Sequence, residues 1–385
     1  MLHRIFNCEN PKAVSKKISL LLSMSFVSIT ASAADLYVST SGSDSNSGSA
    51  SAPFRTIQKG ANMATAGTTV HVGSGSYKEV ITSSKSGSST ARIRFVSDVK
   101  WGAKVLAVSG ATNMWTVKGG FTDIVGFEID ATGSSTVRIG VGLSGGNSSV
   151  QNSHIHHVGL LVPCDNLGGA GLHATQANGS AYQNYDFIGN VIHHVGGTCG
   201  YTPGIYHQSS GNVKNNIIWA GSYGIQGYHD DHNINIVNNT IFGHSGYGIL
   251  FGGCQEAYNN GCPTSGIKIY NNIIYNNGGG ISGPVLAADV GNEIKNNLVY
   301  ANSNQFDLAS PSRSSMTGMI NADPQFVNYK ADGTGDYHLK STSPAIDRGL
   351  LSYAPSVDLD GKTRPQGAGV DMGAYEYGGT SPTPT

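Results

Sequence analysis

The feature that most constrains this chain is a repeat. The segments "NSHIHHVG" at 152, "GNVIHHVG" at 189, "NNIIWAGS" at 215, "NNTIFGHS" at 238, "NNIIYNNG" at 271 and "NNLVYANS" at 296 are variants of one another, and "GFEID" at 126 is a more divergent copy. Successive starts lie 26, 37, 26, 23, 33 and 25 residues apart, so the unit is 23–26 residues with extra loop in some copies. Each unit holds three short β-runs: one ending in x-Ile-x, a second reading Gly-Ile-x or Gly-Leu-x, and a third just before the asparagine pair. Three short strands per turn cannot bury a face alone, so successive turns must stack. The predicted fold is all-β: a right-handed, single-stranded parallel β-helix.

Period-two alternation assigns inside and outside. Ile155, Ile192, Ile218, Ile241, Ile274 and Val299 form one inward column. Leu172, Ile205, Ile225, Ile249 and Ile281 form a second, and Val150, Phe187, Val213, Ile236, Ile269 and Ile294 a third. The asparagines at 152, 215, 238, 271 and 296 are expected to line one corner in left-handed backbone and to bond along their own ladder. An amphipathic run at 57–64, ahead of the strand "TTVHV", is expected to cap the open end of the coil as a short helix.

The 53 glycines among 385 residues, with 12% charged, suit a turn-rich β protein. Residues 1–33 read as a secretory signal: Lys16 and Lys17, an apolar run too short for a confident membrane span, and "ASA" at the cleavage site. Removing them takes four basic residues and one acidic one and leaves 19 against 23, a net charge of −4. That balance argues against nucleic acid as a partner. The mature chain is expected to be secreted or periplasmic, monomeric and without a membrane partner. Residues 34–377 form the predicted β-helix domain, with 305–377 as a closing segment and 378–385 as a linker or tail.

Four cysteines remain after cleavage, Cys164, Cys199, Cys254 and Cys262, an even set suited to two disulfides in an exported protein. Coil alignment narrows the three pairings. From the outward residue of strand one to that of strand two, 156→173 spans 17 residues and 193→206 spans 13, against 7 or 8 in the next coils. The two long loops sit at the same corner and carry Cys164 and Cys199. At the opposite corner, the surplus in 250→269 carries Cys254 and Cys262, which are expected to clip that loop.

Loops rising beside the strand-two sheet make a groove whose floor is His173, Tyr206, Gln226, Leu250 and Ser282. His173 and Tyr206, on adjacent coils, are expected about 5 Å apart. His207 falls inward or at the strand end, and the turn His229-Asp230-Asp231-His232 forms a wall. Ten of 13 histidines lie between 154 and 244, and titratable side chains gathered in a cleft point to function. His154, His156, His157, His193 and His194 read instead as repeat echoes stacked on an outer face. A further outward column, Asp130, His156, His193, Trp219, Phe242, Tyr275 and Tyr300, offers His193 and Trp219 as sugar contacts. The preferred reading is that 305–377 covers the column, because exposed aromatic ladders are a liability. No phosphate-binding loop and no C-x-x-C is present.

The segment 35–79, the coil repeats, "SPAIDRG" at 343–349 and "VDLDGKTRPQGAGVDMGAYEY" at 357–377 together resemble bacterial secreted right-handed parallel β-helix proteins of the pectate-lyase-like superfamily. The resemblance covers nearly all of 35–377 and implies a carbohydrate-active chain, with lyases, glycoside hydrolases, epimerases and binding modules all represented. The favoured expectation is β-elimination of a uronic-acid-containing polysaccharide. It needs a base for the C5 proton, an acid for the leaving oxygen and a partner for the carboxylate. His173, Tyr206, His207, His229 and Asp230 are the catalytic candidates; Gln226, Asp231, His193 and Trp219 are the substrate contacts. Calcium-dependent relatives use a Lys or Arg base, whereas Arg138 and Lys214 are the only such residues between 120 and 260. No cofactor and no metal is therefore expected, calcium being the one ion the resemblance brings in. The alternatives are a hydrolase using Asp230 and Asp231, or a binding or adhesion module.

Overall fold

The computed structural model describes residues 35–175, 183–228, 231–252, 264–283, 291–308 and 314–378. The signal peptide expected over 1–33, His229, Asp230, the Cys254–Cys262 clip and residues 379–385 lie outside the described residues.

Three long parallel sheets run side by side and share every turn of the coil. Sheet I contains nine strands from Gly75–Tyr77 to Leu298–Tyr300, sheet II nine from Ile81–Ser83 to Phe306–Leu308, and sheet III eleven from Asp35–Val38 to Ser314–Thr317. Within each sheet a strand pairs with its counterpart one coil earlier and one coil later, the arrangement of a right-handed parallel β-helix. The coil begins well before the asparagine repeats, with strands at Thr69–Val72, Gly75–Tyr77 and Ile81–Ser83. Those early turns lack the asparagine pair, so no repeat marks them in the sequence.

The inward columns follow the expected register. Ile155 lies opposite Ile192, Leu172 opposite Ile205 and Phe187 opposite Val213, and all six are fully buried. Burying each such side chain contributes about 1.5–3 kcal/mol. Repeated over successive turns, this burial holds together a coil whose single strands are 3–6 residues long.

The corner asparagines depart from expectation by one residue. Asn152, Asn215, Asn238, Asn271 and Asn296 do take left-handed backbone, φ 51–57°. The continuous ladder, however, belongs to the next residue: Asn190 donates to Asn216, Asn216 to Asn239, Asn239 to Asn272 and Asn272 to Asn297, at 2.9–3.1 Å. The left-handed turn rotates the first asparagine outward, where Asn215, Asn238, Asn271 and Asn296 donate to carbonyls of Val357, Asp371, Leu350 and Arg348. They dock the closing segment.

The predicted cap is present as the α-helix Ile57–Met63. Thr56 caps it by accepting from the Lys59 amide, and the Glu79 carboxylate accepts from the amides of Ile57 and Gln58, satisfying the orphan donors of the first turn. Gly60 is required by close approach: a β-carbon there would lie 2.8 Å from Val70. No helix among the described residues is long and apolar enough to cross a membrane.

The closing segment lies over sheet I. Its hairpin, Phe326–Asn328 with Asp336–Leu339, packs Tyr337 4.4 Å from Phe242 and Tyr329 4.7 Å from Tyr275. Trp219 and Phe242 are consequently buried.

Candidate functional site

Parity places the floor of sheet II. The column Gly142, His173, Tyr206, Gln226, Leu250 and Ser282 runs in register through six coils on its outer face. The rings of His173 and Tyr206 stack with centroids 5.1 Å apart and planes 9° from parallel. Both are partly buried. Gly142 stands on the other side of His173, and a β-carbon there would meet only Ile139 at 3.5 Å. The column therefore carries no side chain next to His173 on that side, and Gly142 itself is buried.

Gln208 ties the pair together. Its carbonyl oxygen accepts from Nε2 of His173 at 3.0 Å, and its amide donates to the Tyr206 hydroxyl at 3.1 Å. A carbonyl oxygen cannot donate, so Nε2 carries the imidazole hydrogen and Nδ1 holds the lone pair. The Tyr206 hydroxyl, accepting from Gln208, keeps its own hydrogen to give. Burial lowers the His173 pKa and raises that of Tyr206, the nearby Asp231 adding to the second shift. At neutral pH the imidazole is an unprotonated base and the phenol a protonated acid.

The loops after the sheet I strands, expected to form one wall beside the floor, lead into the sheet II strands. The Cys164–Cys199 disulfide joins two of them, as the coil alignment predicted. Arg138 grips Asp165 with both guanidinium arms at 2.8 Å, and the Arg138 contact holds the Asp165 carboxyl below its usual range. Leu167 and Tyr201 are exposed on these loops.

Several expected site residues fall elsewhere. His207 is fully buried in the coil, its Nε2 donating to the Tyr185 carbonyl at 3.1 Å, so it cannot touch a substrate in the groove. Alternation turns 207 inward once 206 faces out. Asp231 is also buried, accepting from Thr264 at 3.1 Å and packed against Gly227. As a buried corner carboxylate it serves neither as a substrate contact nor as half of a hydrolytic Asp230–Asp231 pair. Trp219 lies under the closing segment, where Gly333 approaches its indole too closely for any side chain. His193 faces out from sheet I, not into the groove.

Two residues escaped the sequence reading. Gln208 shares the parity of Tyr206 two positions on, a signal that was available. Gly142 becomes significant only through its register with His173.

The five histidines read as repeat echoes converge. His154 and His193 approach Nε2 to Nε2 at 2.8 Å, and His156 lies 3.2 Å from Glu128 and 3.4 Å from Asp130. Among the described residues, two groups bring three metal-ligating side chains within 4.8 Å of one another: Glu128 with His154 and His156, and Asp130 with His156 and His157.

Comparison with known proteins bears on the fold. Residues 40–84 match the family described as "Protein of unknown function (DUF1565)". No curated protein matches the sequence. Among solved structures the chain is similar to pectate lyase Pel9A, at 15% identity and a TM-score of 0.50 over 90% of this chain and 97% of that one. It is likewise similar to a rhamnogalacturonan lyase, at 13% identity and 0.51 over 77% and 91%. The likeness is one of architecture, the parallel β-helix.

Proposed function

We propose that this chain is a polysaccharide lyase that cleaves a uronic-acid-containing glycan by β-elimination on the floor of sheet II. The observation that carries the reading is the His173–Tyr206 pair, stacked 5.1 Å apart and bridged by Gln208, with the base unprotonated and the acid protonated. Nδ1 of His173 takes the C5 proton while Tyr206 gives its hydroxyl proton to the departing O4, so C5–H and C4–O break as the C4–C5 double bond forms. Each proton transfer is worth about 10²–10⁴-fold in rate. Gln226, next in register to Tyr206 on the same outward column, supports a role for its amide as donor to the uronate carboxylate. The neighbours' printed names, a pectate lyase and a rhamnogalacturonan lyase, support the same substrate class. The Cys164–Cys199 disulfide suits an oxidising compartment, periplasmic or extracellular, where such glycans are met.

The test is absorbance near 235 nm, where the unsaturated uronic product absorbs, with alginate, pectate and glycosaminoglycans as substrates. The wild type should generate the signal; His173→Ala and Tyr206→Phe should each reduce it by about 10²-fold or more with unchanged melting temperature. Full activity in both variants overturns the assignment. New reducing ends without the 235 nm product indicate hydrolysis and overturn the lyase reading.

A further inference from the structure

The outer face of sheet I carries, on its third to fifth strands, a cluster that neither the groove nor the closing segment uses. Glu128 and Asp130 lie in register with His154 and His156, and His156 with His193. His157 and His194 follow at the corner, both in left-handed backbone. The turn does not require histidine: the same corner residue in the next four coils is Ala220, Gly243, Asn276 and Ala301, all with positive φ.

Ring nitrogens face one another across three gaps. His154 meets His193 at 2.8 Å, His156 meets His157 at 2.8 Å, and His193 meets His194 at 2.7 Å. A gap of that width holds one hydrogen, so one nitrogen of each pair presents a lone pair to its neighbour. Aromatic contacts hold the rings in place, Trp101 tilted 5.0 Å from His154 and Trp219 stacked 4.5 Å from His193. Lys104 takes one oxygen of Glu128 at 2.6 Å and leaves Oε1 turned to Nε2 of His156 at 3.2 Å.

We propose that the carboxylate of Glu128, a ring nitrogen of His154 and Nε2 of His156 hold one divalent transition-metal ion on the outer face of sheet I. Two imidazoles and one carboxylate suit zinc, nickel or copper, whereas calcium and magnesium take oxygen ligands. Nδ1 of His156 faces Nδ1 of His157 at 2.8 Å and Asp130 at 3.4 Å, so the hydrogen it carries once Nε2 is ligated goes to the nearer imidazole, and these neighbours orient the ligand from behind. His154 and His156 lie on one coil and Glu128 on the coil before it, so the ion fastens adjacent turns of the solenoid.

Zinc alone is the probe, titrated calorimetrically into the untagged, chelator-treated full chain. The expected result is one zinc ion bound per chain and a melting temperature raised by zinc. Glu128→Gln and His154→Gln should each weaken binding by about tenfold or more and abolish the zinc-dependent rise, while melting like wild type in chelator. His157→Gln, which belongs only to the neighbouring Asp130 group, should leave binding in place. Unchanged zinc affinity in both Glu128→Gln and His154→Gln overturns the proposal, as does loss of binding in His157→Gln with His154→Gln unaffected.

Discussion

At the scale of single residues, the buried imidazoles carry a pH dependence. His207 and His244 are both buried within the coil, and burial lowers each to a pKa of about 4. The unfolded chain takes up these protons near pH 6.5, the folded chain only near 4, so between those values the unfolded state binds more protons. Stability contributed by neutral His207 and His244 is therefore present above pH 6.5 and lost as pH falls towards 4, about 3 kcal/mol for each. His338 works in the opposite sense. Asp360 and Asp336 hold its ring at 2.8 and 2.6 Å and raise its pKa, so its contribution is full below pH 6.5 and lost as pH rises through the folded value. Urea midpoints should fall steeply between pH 7 and pH 5; a level profile would contradict the burial of His207 and His244. At this scale the sequence was legible wherever parity decides: His173, Tyr206 and Gln226 face outward as alternation requires. It was not legible for Asp231, because a turn has no period and only the packing against Thr264 and Gly227 tucks that carboxylate inside.

At the scale of the element, one coil is held to the next by hydrophobic columns and by the asparagine ladder. Asn239 donates to the Val213 carbonyl at 2.8 Å and to Asn272 at 2.9 Å, and accepts from the amide and side chain of Asn216 at 2.9 Å. All of this is buried. Asn239→Ala leaves those partners unpaired out of water and should cost about 2–4 kcal/mol in urea denaturation, with no change in the product spectrum of any activity. A cost below about 0.5 kcal/mol would mean that the ladder merely accompanies the turn. The pair "NN" announced the corner, but two identical letters cannot say which side chain turns inward. The left-handed φ of the first residue settles it: Asn238 points outward to the closing segment and Asn239 into the ladder.

At the scale of the whole molecule, the closing segment is fastened by a buried ion pair. Arg364 donates to Glu376 and to Asn215 of the coil, and both charged side chains are wholly out of water. Removing one partner strands the other's charge, so Glu376→Ala should cost about 3–5 kcal/mol in chemical denaturation and raise the fluorescence exposure of Trp219. Retention of wild-type stability would show that the hairpin packing alone holds the segment. The order of residues alone specifies the coil, its three inward columns, the register of the groove floor and the Cys164–Cys199 pairing. These follow from a short period repeated many times, in which each copy checks the others. Which outward surface stays open depends instead on packing between distant parts of the chain. Phe242 is covered because Tyr337 and Tyr329, far along the chain, fold back onto it, and Trp219 because Gly333 of the same segment does. The five histidines and two carboxylates converge because stacking brings together side chains from successive turns, and no local pattern records how their rings will point.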